Sequence, residues 1–599
     1  MIKLSDYVYK YIASLKVDHV FVLSGGGCMH LVDSLGRNKK LTYISCLHEQ
    51  GATIASGAYA QYTNNLSTVL VTTGPGGTNA ITGVAAAWLE SIPLLIISGQ
   101  VKRQDISSPN GTRSLGFQEI KITPLVKNIC KYVTTVTDPM EIKYHLEKAV
   151  YLAKSDRPGP VWLDIPLDVQ ASMIDEQKLK GFFPQSQKIT NVNIKNQINQ
   201  LVDFINRAER PVILAGYGIK LSNAQESFYK LINKLRIPVL TTWKAIDLLP
   251  ENHPLYCGRP GAIGQRGANF VQQNSDLFIS IGARLDLGQI AYSYKNFARA
   301  AKKIVIDIDQ TELDKLKFDN QLKICTSAGI FINELLQDAR LIKKNQWINW
   351  LKRCKDWNSK YPVVLKEYRK QKHYANTYAL VDLLSDKLTK KDLMVPGSSG
   401  ACSDIFMQAF RVKKGQRILN TPGLGAMGFG LPASIGACIA SGLKRTICIN
   451  GDGGFQLNIQ ELATVSRLKL PIKYFILNNQ GYSSIKNTQR NYFKGFYVAS
   501  GPESGVVLPP IGKVAEAYGI ASIIIKNHAD LEKKIDFILD SEGPMICDIA
   551  VDPEEQVLPK LTSQIKPDGT IVSKPMEDLW PFLDREEFET NMLIPPIKE

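Results

Sequence analysis

The most informative stretch of the chain is Gly451-Asp-Gly-Gly-Phe455 … Tyr474-Phe-Ile-Leu-Asn-Asn479, in which 24 residues separate Gly-Asp-Gly from Asn-Asn. A gap of this length accommodates a helix and a returning strand. Asp452 and Asn479 are therefore expected at neighbouring strand ends, where open α/β sheets bind ligands. A carboxylate and an amide oxygen suit Mg²⁺, which prefers oxygen ligands and usually shares a phosphate. The glycines after Asp452 let the backbone approach that phosphate.

Outside this stretch, strand-like apolar runs alternate with helical patterns in three successive blocks. The runs lie at 19–23, 67–72 and 93–98 in residues 1–170, at 211–216, 277–282 and 303–309 in residues 190–345, and at 446–450 and 472–478 in residues 375–555. This rhythm predicts an α/β fold of three consecutive doubly wound parallel-sheet domains. Residues 175–193 are expected to form a linker, 346–372 a helical connector and 556–599 a C-terminal tail.

The composition limits the classes of function. A chain of 599 residues exceeds one hydrophobic core. No apolar run approaches ~20 residues and the N-terminus lacks a signal-peptide core, so we expect no membrane association and a cytoplasmic location. The ten cysteines are scattered and fit reduced thiols. The net charge of +16 comes from lysines spread along the chain, which favours attraction of anionic small molecules over a nucleic-acid partner.

The stretch from Gly451 to Asn479 resembles the signature of thiamine-diphosphate enzymes. The three blocks match the order of the pyruvate-oxidase and acetohydroxyacid-synthase branch: pyrimidine-binding, central and diphosphate-binding. Residues 421–432 are also similar to this branch, in which the residue at Met427 props the cofactor into a V shape. The resemblance implies that Mg²⁺ is bound by Asp452, Asn479 and Gly481. It implies further contacts to the diphosphate side of the cofactor from Ser398, Ser399, Gly425, Met427, Gly451, Gly453, Gly454 and Tyr482.

Polar residues on the loops of the third block have a second interpretation. Asn420, Ser398 and Ser399 sit on expected strand-end loops, where they can reach the diphosphate. Ordinary loop polarity explains these three residues equally well.

A candidate activating carboxylate lies in the first block. Glu49 follows an apolar run at 41–47 and precedes a helix of small residues. By resemblance to the family, its carboxylate bonds the aminopyrimidine ring of the cofactor and favours the tautomer that accepts the C2 proton. Alternatively, Glu49 only stabilises the dipole at the start of a helix. The expected Mg²⁺ ligands Asp452 and Asn479 further along the chain make this alternative less favoured.

Residues 72–79, which include Pro75 and Asn79, resemble the family's Gly-Pro-Gly turn and are expected to wall the pyrimidine pocket. The turn lacks the Gly-Lys-Ser/Thr ending of a P-loop, so the diphosphate is assigned to the third block instead.

Two substrate-side residues follow from the resemblance to acetohydroxyacid synthases. Residues 117–119 resemble that branch's Phe-Gln-Glu, which implies that Gln118 faces the substrate. Residues 24–27 stand where those enzymes have Pro-Gly-Gly-Ala, which implies that Gly26 brings the backbone close to the reacting centre. His48 and Lys131 are acid–base candidates for which structural roles are favoured.

The central block is expected to bind FAD in a structural rather than a redox role. Its strand ends resemble the acetohydroxyacid-synthase strands that hold FAD, at Gly216, Gly218, Gly282, Arg284, Asp307 and Asp309. Decarboxylases of the same fold have a similar domain without flavin, so both interpretations stay open at this point.

The chain departs from acetohydroxyacid synthases after Asn479. Lys486 falls about where those enzymes have a Trp that selects the second keto acid, and an ammonium there favours an anionic or hydroxylated acceptor. Residues 501–505 and the tail at 567–587 are similar to acetolactate-synthase-like proteins of surface-polysaccharide biosynthesis, including enzymes that extend a keto-sugar nucleotide.

The resemblance implies a thiamine-diphosphate-dependent carboligase. Such an enzyme decarboxylates pyruvate or a related 2-keto acid and transfers a two-carbon acyl-anion unit to a carbonyl acceptor, either a 2-keto acid or a keto-sugar nucleotide. A decarboxylase that releases an aldehyde is the alternative. An inactive scaffold or regulatory paralogue is opposed by the joint presence of Glu49, Asp452 and Asn479. The family also implies a homodimer or homotetramer whose sites are shared between chains.

Overall fold

The structure is a computed structural model that describes residues 1–107, 111–184, 194–338, 342, 346–565, 568 and 571–597. The second half of the expected linker, with the boundary at residue 190, lies outside the described residues, and so do Pro567, Gly569 and Thr570 of the tail. The described residues form three parallel sheets flanked by helices, which confirms the α/β fold of three doubly wound domains. None of the described helices has the length and apolar character needed to cross a membrane.

The first domain contains the strands β1 (Ile2–Lys3), β2 (His19–Val22), β3 (Thr42–Ser45), β4 (Ser67–Val71), β5 (Leu94–Gln100), β6 (Tyr132–Thr135), β7 (Pro160–Pro166) and β8 (Met173–Ile174). Six of them form a parallel sheet in the order β3-β2-β4-β5-β7-β6, whereas β1 and β8 pair separately. The helices are α1 (Leu4–Ser14), α2 (Met29–Arg37), α3 (Glu49–Thr63), α4 (Pro75–Leu89), α5 (Ile122–Val126), α6 (Ile142–Lys154) and α7 (Leu167–Ala171). β4 and β5 are mostly apolar and are buried along their whole length, because helices cover both sides of the sheet.

The central domain contains the strands β9 (Pro211–Ala215), β10 (Val239–Thr241), β11 (Leu277–Ile281), β12 (Lys302–Asp307) and β13 (Gln321–Cys325), in the parallel order β10-β9-β11-β12-β13. Its helices are α8 (Ile194–Arg207), α9 (Gly218–Leu221), α10 (Gln225–Leu235), α11 (Arg266–Gln273), α12 (Gln310–Asp314) and α13 (Ala328–Asp338). The connector forms α14 (Ile348–Lys360), whose Trp350 and Trp357 are buried in the same core.

The third domain contains the strands β14 (Leu393–Pro396), β15 (Arg417–Ile418), β16 (Thr446–Gly451), β17 (Ile472–Asn478), β18 (Ala521–Ile525) and β19 (Met545–Ala550), in the parallel order β15-β14-β16-β17-β19-β18. Its helices are α15 (Thr377–Lys387), α16 (Ala401–Ala409), α17 (Gly430–Ala440), α18 (Asp452–Gln456), α19 (Leu462–Arg467), α20 (Ser483–Tyr492), α21 (Ile511–Ala517) and α22 (His528–Asp540). β16 and β17 are neighbours, and α18 and α19 lie between them in the chain, as the 24-residue gap predicts.

Helices α3 and α17 join the first and third domains. Both are rich in small residues, which lets their backbones approach closely. A Cβ on Gly436 would lie only 1.8 Å from the carbonyl oxygen of Ala55. Side chains of both domains, among them Trp162 and Tyr474, share one hydrophobic cluster around this contact. The two sheets are therefore held in one orientation by a continuous core.

The tail wraps the central domain. It forms a hairpin of β20 (Ser563–Ile565) and β21 (Ile571–Ser573) and ends with α23 (Arg585–Asn591). Arg266 donates hydrogen bonds to the carbonyl oxygens of Leu579 and Pro581, and Phe588 enters the central core. These contacts fix the path of the described tail.

Candidate active site

The predicted metal ligands meet at the carboxyl edge of the third sheet. Asp452 follows β16 directly and Asn479 follows the neighbouring strand β17. The Asp452 carboxylate is buried and accepts hydrogen bonds from the backbone N–H of Gly453 at 2.7 Å and of Gly481 at 3.1 Å. Burial raises the pKa of Asp452 to about 6, although these N–H groups oppose the rise. A desolvated carboxylate of this kind favours a nearby cation.

The donor set at this edge fits a hard divalent cation. The Oδ1 atom of Asn479 is buried and accepts no hydrogen bond from the described residues, while its Nδ2 donates to Ser483 Oγ at 3.2 Å. A buried oxygen without a partner typically costs about 1–3 kcal/mol, which a bound cation would offset. Among the described residues, no group of three or more His, Cys, Asp or Glu side chains is arranged so that it could hold a metal ion. A cation here would therefore combine Asp452, Asn479 and the Gly481 backbone with ligand oxygens, as suits Mg²⁺.

Two glycines of the metal stretch allow a close approach of the chain. A Cβ on Gly453 would lie 2.4 Å from the ring of Tyr482, and a Cβ on Gly454 would lie 2.9 Å from Asn450 Oδ1. At Gly451 a Cβ would meet nothing within 4 Å, so its role as a glycine is not explained by packing in this chain. The turn is thus tightest where the backbone was expected to approach a phosphate.

Two loops of the third domain touch beside this edge. The loop after β14 is tied to β16 because Gly397 N donates to the Ile449 carbonyl at 2.7 Å. Ser398 Oγ in turn donates to the carbonyl of Ala426, next to the half-buried Met427. Ser399 is exposed and precedes α16. The loop carrying Ser398 and the turn carrying Met427 therefore form one wall.

Gly425 helps to shape this wall. Its φ of +64° is the left-handed conformation that favours glycine, and its missing Cβ would lie 3.6 Å from the Ser398 carbonyl oxygen.

Glu49 opens α3 and is 6% exposed. Its Oε2 accepts a hydrogen bond from Asn79 Nδ2 at 3.0 Å, and a Cβ on Gly76 would lie 3.6 Å from its Oε1. The turn at 72–79, where Pro75 begins α4, therefore lies against this carboxylate. His48 caps α3 instead, since its Nδ1 accepts from Gln50 N at 3.0 Å. The capping role of His48 leaves Glu49 available to a ligand.

The loop that carries Gln118 is fastened to the same turn. Gln118 has a φ of +60°, and its carbonyl oxygen would lie 2.4 Å from a Cβ on Gly74. Gln100 links both segments, because its Oε1 accepts from Thr73 Oγ1 at 2.8 Å and its Nε2 donates to the Ile120 carbonyl at 2.9 Å. The Gln118 side chain itself is exposed. Sequence reasoning missed Gln100, for which a buried amide at the end of an apolar strand was the available signal.

The close approach expected at Gly26 is found at its neighbours. A Cβ on Gly26 would meet nothing within 4 Å, whereas one on Gly25 would lie 2.6 Å from Thr72 and one on Gly27 would lie 2.7 Å from Thr73. The turn is therefore pressed against the 72–79 segment at Gly25 and Gly27. Gly26 is exposed on its outer side.

A cavity of about 980 Å³ lies where the three domains meet. This volume is at the upper end of the range for small-molecule sites, ~300–1,000 Å³. Four of the residues expected to hold FAD line it, namely Gly218, Gly282, Arg284 and Asp307. Ser398 and Ser399 line it from the third domain, so the cavity reaches the loop expected to bind the diphosphate.

The other two residues of the expected FAD set lie outside the described cavity wall. Gly216 packs behind it, because a Cβ there would lie 2.1 Å from the Gly282 carbonyl oxygen. Asp309 caps α12 and accepts a hydrogen bond from Arg157 Nη1 at 3.0 Å. Asp309 therefore joins the central domain to the first domain. Burial raises the pKa of Asp307, which does face the cavity.

A buried ionic junction beside the cavity was not predicted from the sequence. Lys244 Nζ lies 3.0 Å from Glu90 Oε2, and Glu90 Oε1 accepts from Gly423 N at 2.6 Å. Arg417 pairs with Asp247 at 3.2 Å. Burial lowers the pKa of Lys244, and Glu90 opposes that change. Glu90 and Gly423 are 333 residues apart in the chain, so no local pattern signals their contact.

Lys486 differs from the expectation of a free ammonium facing the acceptor. It is 7% exposed, and its Nζ lies 3.2 Å from Glu503 Oε1. A Cβ on Gly501 would lie 2.3 Å from the same nitrogen, so Gly501 makes room for it. The positive charge is thus already neutralised within the chain.

Two other polar candidates have structural partners. Lys131 Nζ donates to the carbonyl oxygens of Ser155 at 2.6 Å and Arg157 at 2.9 Å, in line with the structural role favoured for it. Asn420 Nδ2 donates to the Trp243 carbonyl at 2.9 Å and so joins the third domain to the central one. Structural hydrogen bonds account for Lys131, whereas the buried Oδ1 atom of Asn420 accepts no hydrogen bond from the described residues.

Comparison with family models gives three matches along the chain. Residues 2–125 match the N-terminal TPP binding domain of thiamine pyrophosphate enzymes, residues 198–335 match the central domain, and residues 398–549 match the C-terminal TPP binding domain. The matches follow the order of the three parallel sheets.

Curated relatives cover nearly the whole chain. It is 32% identical to the acetolactate synthase large subunit of Cyanidium caldarium, over 91% of this chain and 92% of the relative. It is 30% identical to the acetolactate synthase large subunit of Lactococcus lactis, over 95% and 96%. It is 32% identical to a probable acetolactate synthase large subunit of Methanococcus aeolicus, over 92% of each chain.

Proposed function

Since this chain belongs to the thiamine pyrophosphate enzymes and is an acetolactate-synthase-like carboligase, we propose that it joins two 2-keto acids. In this reaction, pyruvate or a related 2-keto acid loses CO₂, and its two-carbon unit is added to the carbonyl carbon of a second 2-keto acid. The relatives that match almost the full length of the chain are named acetolactate synthases, which supports this choice.

The observation that carries the proposal is the pairing of a desolvated carboxylate with an unpartnered amide oxygen. Asp452 and the Oδ1 atom of Asn479 stand together at the ends of β16 and β17. Together with the Gly481 backbone they would hold Mg²⁺ and, through it, the diphosphate of the cofactor. Thiamine diphosphate, when bound, supplies a nucleophilic carbon that adds to keto acids. The residues of the protein would then orient the cofactor and assist removal of its C2 proton.

Glu49 is proposed to assist this proton transfer through a ring nitrogen of the cofactor. Its carboxylate is held by Asn79 at 3.0 Å and lies against the glycine-rich turn. A carboxylate fixed in this way can share a proton with a ring nitrogen of the cofactor without reorganising. Gln118, on a loop fastened to the same turn, would contact the substrate.

FAD is proposed to occupy the large cavity with a structural role. The cavity is lined by Gly218, Gly282 and Arg284 and has room for a dinucleotide. A keto-sugar acceptor is not proposed, because pairing with Glu503 removes the free charge at Lys486 that favoured it.

The test is a product analysis. Purified protein with thiamine diphosphate, Mg²⁺ and FAD is incubated with pyruvate, and products are followed by NMR with and without a second 2-keto acid. We expect acetolactate from pyruvate alone and a mixed product when the second acid is added. Acetaldehyde as the sole product would replace this proposal with a simple decarboxylase. The matched control is the Asp452→Ala protein, which should form neither product.

A further inference from the structure

One carboxylate of the cavity has no assigned role. Asp404 belongs to the first turn of α16 and lines the cavity beside Ser403, which is buried, and Ser484 of α20. Among the described residues, none donates a hydrogen bond to its carboxylate and none forms an ion pair with it. Burial raises the pKa of Asp404 to about 7. A carboxylate desolvated in this way is unfavourable unless something in the cavity bonds to it.

The cavity walls from the first and central domains carry both signs of charge, since Glu90, Asp156, Asp286 and Asp307 line them. The cationic groups on these walls are Arg284, Lys154 and Arg157, the last of which pairs with Asp309 and Glu312. Guanidinium and ammonium groups suit the phosphates of a dinucleotide. A phosphate near Asp404 would instead meet a like charge. The guanidinium and ammonium groups of the first two domains are therefore the places on these walls where the phosphates of a dinucleotide would bind.

We propose that Asp404 recognises the flavin half of the dinucleotide, by accepting a hydrogen bond from a ribityl hydroxyl or from the ring N–H. The carboxylate oxygens accept hydrogen bonds and a donor on the ligand favours the ionised form, so Asp404 selects a ligand part that carries such donors. A site built around this bond discriminates against ligands that lack the donor. This inference rests on the FAD site of the proposed function and adds the residue that binds the flavin half of the ligand.

Binding to the cofactor-stripped full chain tests the proposal. The probes are FAD and ADP, which keeps the adenosine and both phosphates but lacks the ribityl chain and the flavin. Calorimetry compares the wild type with Asp404→Leu and Asp404→Asn. We expect Asp404→Leu to weaken FAD binding by about 10-fold or more and to leave ADP binding within about 2-fold. Asp404→Asn keeps an acceptor oxygen and should stay within about 3-fold of the wild type for FAD.

The direction in which FAD affinity changes in Asp404→Leu distinguishes a direct hydrogen bond from a general charge effect. Removing a negative charge should strengthen the binding of an anionic ligand by Coulomb attraction, whereas losing a hydrogen bond weakens it. Asp156→Asn is the matched control, because Asp156 is an exposed carboxylate on the cavity wall of the first domain. This control should bind FAD as tightly as the wild type or slightly more tightly.

Thermal unfolding of the stripped proteins adds a readout without ligand. Since no described group bonds to the Asp404 carboxylate, Asp404→Leu should unfold at the same temperature as the wild type or higher. A clear fall in the unfolding temperature would assign Asp404 a structural role and overturn the inference. Equal FAD affinity of the wild type and Asp404→Leu would also overturn it while leaving the FAD site intact. Failure of the wild type to bind FAD would overturn both.

Discussion

Glu49 is the residue whose position most constrains the chemistry. It is buried at the start of α3 and is bonded to Asn79 Nδ2 at 3.0 Å, while His48 satisfies the helix start. Replacing it by Gln keeps the shape but removes the carboxylate. We expect Glu49→Gln to keep the fold and the bound thiamine diphosphate and to lose about 100-fold or more in turnover. Calorimetry for the cofactor and initial rates from pyruvate measure the two effects separately.

A matched variant tests the hydrogen bond to Glu49 alone. Asn79→Leu leaves the carboxylate in place but frees it to move, so we expect a smaller fall in turnover than in Glu49→Gln. Near-wild-type turnover of Glu49→Gln would show that this carboxylate does not take part in the reaction.

The burial of Asp164 leads to a prediction about how the stability of the protein depends on pH. It is buried behind the active-site turns and accepts from Ser98 Oγ at 2.6 Å and Gln100 Nε2 at 3.1 Å. Burial raises the pKa of Asp164 to about 6, above the value of about 3.9 expected in the unfolded chain. Ionisation therefore weakens the folded state at neutral pH, and that loss is relieved as the pH falls from about 7 towards about 4.

The unfolding temperature of the wild type should thus rise relative to that of Asp164→Asn between pH 7 and pH 5. Scans of both proteins in the same buffers give the difference directly, and other titrating groups cancel in the comparison. A difference that does not change with pH would mean that Asp164 keeps an ordinary pKa.

The residues found from the sequence share one property, which is that they lie in short patterns that are complete within a few positions. Asp452 and Asn479 each follow a largely buried strand, and Glu49 follows the apolar run at 41–47. Glu90 acts through a partner 333 residues away, so no local pattern signals it. Gln100 is signalled only by its place as a buried amide at the end of an apolar strand. The bond between Ser398 and the Ala426 carbonyl depends in the same way on how two loops meet.

At the scale of elements, the close crossing of α3 and α17 carries a stability prediction. A Cβ on Gly436 would lie 1.8 Å from the Ala55 carbonyl oxygen, and neither backbone can yield without moving a domain. We expect Gly436→Ala to destabilise the protein by about 1–3 kcal/mol or more, as overpacking does. The measurement is the midpoint of denaturant-induced unfolding followed by tryptophan fluorescence.

Gly57 of α3 is the control for this prediction. A Cβ there would meet nothing within 4 Å, so Gly57→Ala should be neutral or stabilise the helix by about 0.5–1 kcal/mol. Equal midpoints for the two alanine variants would mean that the helices separate freely.

The strands were predictable because a parallel sheet covered on both faces needs continuous apolar runs. The runs at 67–72, 277–282 and 472–478 became β4, β11 and β17 within a residue at each end. The two-residue strand β15 and the hairpin β20–β21 have no such runs and were not predicted. Short edge strands depend on their partners more than on their own residues.

For the molecule as a whole, the order of the three domains could be predicted from the sequence, but the contacts between the domains could not. The ionic junction of Glu90 with Lys244, and the cavity beside it, arise from surfaces that meet only after each sheet has formed. Apolar residues remain exposed beside the site in the single chain, with Phe117 at 86% and Phe496 at 74%. Such side chains on both the first and third domains suit a surface that a second chain covers.

This arrangement leads to a prediction about assembly. The hydrogen bonds of Glu49 and of Asp452 involve separate residues, and none of the described bonds joins the two carboxylates. We expect a homodimer in which Glu49 of one chain faces the metal edge of the other. Inactive Glu49→Gln and inactive Asp452→Ala chains should then complement each other. After random exchange, half of the dimers are mixed and each mixed dimer has one intact site in two, so activity should return to about a quarter of the wild-type value.

Subunit exchange must be verified, because a mixture in which the chains have not exchanged would also be inactive. Native mass spectrometry of the mixture, with one variant isotopically labelled, measures the fraction of mixed dimers. The doubly substituted chain, mixed with the wild type, is the control, since each of its mixed dimers has two singly defective sites and should be inactive. Mixed Glu49→Gln and Asp452→Ala dimers without activity would mean that both carboxylates of each site come from one chain.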